Sequence, residues 1–151
     1  MKIAVGSDET NQLTAAVIAD LTDRGHELLL FGPLQGEDEY WPAVARQVAE
    51  TVAAGKVDEG ILFCWTGTGV SMAANKVPGI RAALCDDAET ARGARLWNNA
   101  NILCLSIRRT SAAIAREILE SWFTHSYLPN QVDDLCLAQV AAIEADYNYR
   151  G

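Results

Sequence analysis

The sequence predicts an α/β protein built as a three-layer sandwich, with helices covering a five-stranded parallel sheet. Apolar runs alternate with amphipathic segments from end to end, the pattern of strands joined by helical crossovers. Within the amphipathic segments the apolar residues recur at helical spacing. The chain has 151 residues, 50% of them hydrophobic, which suits one domain, 1–151, with a substantial core.

Lys2 to Gly6 reads as the first strand, and Leu13, Val17, Ile18 and Leu21 mark a helix stopped by Arg24-Gly25. His26 to Phe31 is the second strand. Beyond the turn-like Gly32-Pro33-Leu34-Gln35-Gly36, Val44, Val48 and Val52 repeat every four residues, so a helix is expected from Trp41 to Ala54 with Gly55 as its cap. Gly60 to Cys64 is the third strand, and a glycine-rich turn leads into a short helix over Val70 to Asn75. Strands at Ile80 to Cys85 and Asn101 to Leu105 flank a helix from Asp87 to Trp97, with Asp86 or Asp87 as N-cap. Ile114, Ile118, Leu119 and Trp122 define another helix. A tail helix from Asn130 to Tyr147 carries Val132, Leu135, Val140 and Ile143 on one apolar face, either as the last cover of the sheet or as an arm for a second subunit. This order of elements is Rossmann-like, with a C-terminal dimerisation helix as one reading of the tail.

A formal charge of −8 and a pI near 4.6 leave no basic patch, which excludes nucleic acid as the partner. No stretch approaches the roughly 20 apolar residues a membrane helix needs. The start MKIAVGSDE lacks a signal peptide's basic-then-apolar layout, so a soluble, cytoplasmic protein without membrane contact is expected. Cys64, Cys85, Cys104 and Cys136 are widely spaced, with no CxxC pair and no histidine cluster, and read as reduced thiols rather than zinc ligands or disulfides.

The segment richest in chemistry is Phe63-Cys64-Trp65-Thr66-Gly67-Thr68-Gly69-Val70-Ser71, where the third strand ends and a helix begins. Ligands of open α/β sheets bind at the carboxyl ends of strands. Glycines there let backbone N–H groups turn inward, and with the helix N-terminus they form an anion site. Glycine alone is weak ground, because tight strand-to-helix turns need it for steric reasons. Cys64 strengthens it: a thiol facing oriented amides is a usable base or nucleophile. Cys85 and Cys104, inside apolar strands, and Cys136, on a helix, read as buried structural thiols. Ser7-Asp8-Glu9-Thr10 and Trp97-Asn98-Asn99-Ala100-Asn101 lie at strand ends and are expected near the Cys64 turn. Asp8 taken alone reads as an N-cap, and the asparagines as turn formers.

The run GILFCWTGTGVSMAANKVPGIRAALC closely resembles the strand-turn-helix of the type B ribose-5-phosphate isomerase (RpiB/LacA/LacB) family, whose pattern is near C-G-T-G-x-G-x-x-x-A-N-K-x-x-G-I-R-A. The resemblance continues through Asp87-Ala88-Glu89-Thr90-Ala91 to Asn98 and Asn101, and includes Gly6-x-Asp8. It implies an aldose-ketose isomerase that needs neither metal nor organic cofactor and works as a homodimer or dimer of dimers with shared active sites. It gives Cys64 the role of base, places an enediolate oxygen against the amides from Gly67 to Ser71, and assigns Asp8, Thr66 and Asn98 to substrate hydroxyls. Asn98 would serve the neighbouring subunit's site.

The chain also departs from that pattern. Glu9 and Trp97 stand where the family has histidines, one of them credited with ring opening, so ring opening falls to Glu9 or Asp8 or is not needed. The family's C-terminal arginines align with Asn130-Gln131-Val132-Asp133-Asp134-Leu135, whose carboxylates repel phosphate, leaving Arg108 and the adjoining Arg109 as anion contacts. Trp65, Trp97 and Trp41 imply a more aromatic wall. The expected ligand is therefore a small sugar or sugar phosphate; the competing reading is a non-catalytic sugar- or anion-binding family member.

Overall fold

The computed structural model describes residues 1–148, so the expected domain end at 151 lies outside the described residues. Its strands are β1 (Lys2–Ser7), β2 (Glu27–Phe31), β3 (Glu59–Cys64), β4 (Ala82–Leu84) and β5 (Ile102–Ser106). Its helices are α1 (Gln12–Asp23), α2 (Trp41–Ala53), α3 (Thr68–Ala74), α4 (Ala88–Leu96), α5 (Ala112–Thr124) and α6 (Gln131–Asn148). A 3-10 turn, Gly32–Gln35, occupies the expected turn after β2. All pairings are parallel, in the order β2-β1-β3-β5-β4.

That order positions the site. From β1 the chain goes to β2 on one side and later to β3 on the other, so the crossovers diverge between β1 and β3 and leave a crevice at their carboxyl ends. Ser7 pairs with Phe63 and Cys64 with Ser106, which brings Asp8, Cys64 and the turn after β5 side by side. Two apolar layers hold the sheet. Val17, Leu21, Phe63, Leu105, Ile118 and Trp122 pack with α1, α4 and α5 on one face; Val44, Val48, Val70 and Cys104 pack with α2 and α3 on the other.

Several expectations change. The N-cap of α1 is Asn11, not Asp8: Asn11 has extended backbone and exchanges side-chain bonds with Thr14 in a capping box, which releases Asp8. Asp87 caps α4, and Gly55, at φ 68, follows α2 as expected. β4 is shorter than the apolar run Ile80 to Cys85, because the backbone of Arg81 is bonded to Asn101 before the strand begins. Cys136 is exposed rather than buried. The row Val132, Leu135, Val140 and Ile143 is exposed along α6, so the tail helix covers no sheet face.

The largest correction concerns Trp97-Asn98-Asn99-Ala100-Asn101. This turn precedes a parallel strand and so sits at the sheet's amino end, where Asn101 accepts the N–H of Gly60 at 3.0 Å. Cys64 is at the carboxyl end. Within one chain the two do not meet.

Candidate active site

Cys64 closes β3 with only 5% of its surface exposed. Its carbonyl accepts N–H groups from Gly67 at 3.2 Å and Ile107 at 3.1 Å, and the next carbonyl, of Trp65, accepts from Arg108 N–H at 2.9 Å and Ser106 hydroxyl at 3.1 Å. The turn is thus stitched to the end of β5. Gly67 enters α3 at φ 73, and no side chain caps that helix. Gly67 and Ser71 spend their amides inside the turn, on Cys64 and Gly67 respectively, which leaves the first-turn amides of Thr68, Gly69 and Val70 without a helical partner. The Thr66 and Thr68 hydroxyls share a 2.7 Å bond beside them.

Around this cradle the structure gathers most of the expected groups. Asp8 keeps one buried carboxylate oxygen, Oδ1, without a partner, and burial pushes its carboxyl above the usual range, helped by the charge of Glu9 and opposed by a backbone hydrogen bond. Glu9 is exposed and is held by the side-chain amide of Asn11 at 3.0 Å. The Trp41 ring lies against Gly69, where a Cβ would come within 3.1 Å of it, and so forms one wall. Trp65 is 57% exposed at the rim. Arg108 is exposed and enters no ion pair among the described residues, whereas Arg109 is drawn to Asp86 at 3.1 Å.

The other cysteines behave differently. Burial pushes the Cys85 thiol up to about 12, with Asp87 and Asp86 adding to the rise, and Cys104 is raised as well by complete burial. Both stay neutral thiols. Neither histidine joins the site. His26 rests on Phe123 with ring centres 4.6 Å apart, and the His125 ring is bonded to the Ser121 carbonyl of its own helix at 2.7 Å. Among the described residues no three His, Cys, Asp or Glu side chains stand together as a metal cluster would require.

Asn98 lines a separate cavity of about 800 Å³ with Asn75, Lys76, Arg81 and residues of α6. The Trp97 indole lies on Gly93, 2.6 Å from where a Cβ would sit, beside Leu84. Two site groups escaped the sequence reading. Ser106, paired with Cys64, fastens Trp65; Thr110 has a buried hydroxyl oxygen without a partner at the same end of the sheet. Their only signal was position just after, or at the end of, a strand next to β3.

Gly67 is the conformational hinge of the cradle. A Cβ there would lie 2.5 Å from Leu84 and 3.0 Å from the Leu105 backbone, in addition to the left-handed φ. Gly67→Ala is expected to destabilise by about 3 kcal/mol, against about 1 kcal/mol for Gly25→Ala, where φ is also positive but nothing crowds the Cβ. Urea midpoints measure both; equal losses would show that the clash is relieved at no cost.

A parallel sheet with a cysteine at a strand end, followed by a turn of uncommitted helix amides, is an arrangement suited to acid-base chemistry in an α/β protein. The Ribose/Galactose Isomerase family model matches residues 3–134, and the chain belongs to that family. Its class is that of intramolecular oxidoreductases that interconvert aldoses and ketoses. It is 39% identical over 127 residues to ribose-5-phosphate isomerase B of Escherichia coli (strain K12), covering 83% of this chain and 85% of that protein. It is 44% identical over 87 residues to D-erythrulose-4-phosphate isomerase of Pectobacterium atrosepticum, covering 58% and 57% of the two chains. The Clostridium thermocellum ribose-5-phosphate isomerase B structure superposes with a TM-score of 0.91 at 38% identity, over 97% of this chain and 99% of that one.

Proposed function

We propose that Cys64 is the base of an aldose-ketose isomerase whose substrate is a short, open-chain sugar phosphate. The observation that carries the reaction is Cys64 at the end of β3, just before a turn whose following helix leaves the amides of Thr68, Gly69 and Val70 without a helical partner. The thiolate removes the proton from the carbon beside the carbonyl, and the electron pair moves onto the carbonyl oxygen. Those three amides then hold the enediolate oxygen. The proton returns from Cys64 to the former carbonyl carbon, while Asp8 passes the hydroxyl proton from one oxygen to the other. A carboxyl raised by burial suits a group that must both take and give a proton. Thr66 and Asn98 hold hydroxyls, and Trp41, Trp65 and Trp97 shape the wall.

The open-chain assignment rests on where the imidazoles lie. His26 and His125 flank neither the Cys64 turn nor the cavity lined by Asn98, so no imidazole serves ring opening. A four-carbon sugar 4-phosphate has its only ring-forming oxygen esterified and needs none. Its phosphate also lies one carbon nearer the carbonyl than in a pentose 5-phosphate, which suits Arg108, whose backbone is bonded to Trp65 beside Cys64, as its contact. The relative named D-erythrulose-4-phosphate isomerase supports this choice. We further infer one functional unit over 1–151, working in the cytoplasm as an assembly of copies that share sites. Four free cysteines favour a reducing compartment, and among the described residues no helix is long and apolar enough to cross a membrane.

Incubation in heavy water with erythrose 4-phosphate, erythrulose 4-phosphate or ribose 5-phosphate tests both parts. Label should enter beside the carbonyl of the four-carbon compounds, with kcat/KM for ribose 5-phosphate lower by roughly ten-fold or more. Faster turnover of ribose 5-phosphate would remove the open-chain assignment. No label in any sugar would remove the isomerase itself and leave a binding protein.

A further inference from the structure

The turn that carries Asn98 is held from two sides by guanidinium groups. From the β4 side, Arg81 Nε donates to the Asn99 carbonyl at 2.7 Å. The Arg81 backbone N–H donates to Asn101 Oδ1 at 2.8 Å, and the Asn101 amide group donates to the Gly79 carbonyl at 2.9 Å. From the α4 side, Arg95 Nη1 donates to the very next carbonyl, of Ala100, at 2.6 Å, and Nε to that of His125 at 3.3 Å. The remaining Arg95 nitrogen, Nη2, pairs with Glu59 at 2.6 Å, and the second oxygen of Glu59 accepts Trp122 Nε1 at 2.6 Å. The guanidinium lies 4.8 Å over the Trp122 ring, and the Arg95 and Glu59 side chains are 14% and 9% exposed.

This is more than closing a turn requires. An asparagine turn at a strand start is ordinarily satisfied by backbone bonds and water. Here two half-buried cations, both costly to desolvate, are committed to adjacent carbonyls. Together they hold two successive peptides, Asn99–Ala100 and Ala100–Asn101. Asn99 is kept at φ 45, a left-handed conformation that costs a residue other than glycine about 1 kcal/mol. The residue whose direction this settles is Asn98, immediately before, which lines the cavity shared with Arg81.

We infer that Arg81 and Arg95 are positioning residues, a two-sided clamp on the consecutive carbonyls of Asn99 and Ala100 that aims Asn98 at the substrate. The inference rests on the reading of Asn98 as a substrate-binding residue of an isomerase. Arg81 is the better handle, because removing Arg95 leaves Glu59 buried and unpaired.

The test compares Arg81→Met and Arg81→Lys, each alone and in an Asn98→Ala background, with hydrogen exchange read at the amides of residues 99–102. Arg81→Met should lower kcat/KM about ten-fold or more, chiefly through kcat, since misplacing a substrate-holding group costs that much. Arg81→Lys should recover part of the loss, and exchange at the turn should quicken in Arg81→Met. In Asn98→Ala the same substitution should cost nothing further, which a merely structural arginine would not show. An equal loss in both backgrounds, or full activity with a loosened turn, overturns the inference. Should Arg81→Met fail to fold, Arg81→Gln carries the same cycle. A wild-type protein without turnover sinks the isomerase reading, whereas unchanged exchange in Arg81→Met sinks the clamp, so the two failures are told apart.

Discussion

Cys64→Ser is expected to lower turnover by about a thousand-fold or more while leaving the fold and most ligand affinity in place. Serine is close to cysteine in size, so Cys64's place in the apolar layer beside Val70 and Cys104 remains filled. The amides of Thr68, Gly69 and Val70 belong to the backbone and are untouched, which preserves the cradle that binds the carbonyl oxygen. Only the base is lost, because an alcohol gives up its proton far less readily than a thiol near neutral pH. Heavy-water exchange and calorimetric binding on the same preparation separate the two effects. Near-wild-type exchange in Cys64→Ser, together with its loss in Asp8→Asn or Glu9→Gln, would make a carboxylate the base. The partnerless oxygen of Asp8 makes it the strongest such rival.

Most of the architecture was legible because apolar periodicity is a local signal. Leu13, Val17 and Leu21, or Val44, Val48 and Val52, mark a buried helix face whatever surrounds them, and all six are buried as expected. The glycine turn was legible for the same reason: Gly67 needs its left-handed φ in any setting. What failed was non-local. Asp8 read as the cap of α1, and only the mutual bonds of Asn11 with Thr14 show that Asn11 takes that place. The turn at Trp97 to Asn101 was placed beside Cys64 because both adjoin strands. In a parallel sheet, however, a segment before a strand and one after it lie at opposite ends. Arg81 entered the sequence reading only within the family-like run, and its grip on the turn stayed hidden because Asn99 lies 18 residues away; Arg95 gave no signal of its own although it bonds Ala100, 5 residues on, as well as His125, 30 residues on. Cys136 read as buried because an amphipathic helix looks the same whether its apolar row meets its own core or another chain.

That last ambiguity bears on how the site is completed. Cys64 stands at the carboxyl end of β3, whereas the turn of Asn98 precedes β5 at the amino end of the sheet and its side chain lines other cavities, so the two are not brought together within one chain. One subunit therefore cannot present both to a single small sugar. In the proposed assembly a second subunit would, and α6 offers it Val132, Leu135, Val140 and Ile143, all more than half exposed. The expected consequence is complementation. Cys64→Ala and Asn98→Ala should each be nearly inactive as pure assemblies. When equal amounts are dissociated together and reassembled as dimers, half the dimers are mixed. Each mixed dimer has one site with both defects and one with neither, so about a quarter of wild-type activity should return. Mixing Cys64→Ala with Cys64→Ser is the control and should restore nothing. If each chain built its own site, every site in the first mixture would keep one defect and activity would stay absent, whatever the size of the oligomer.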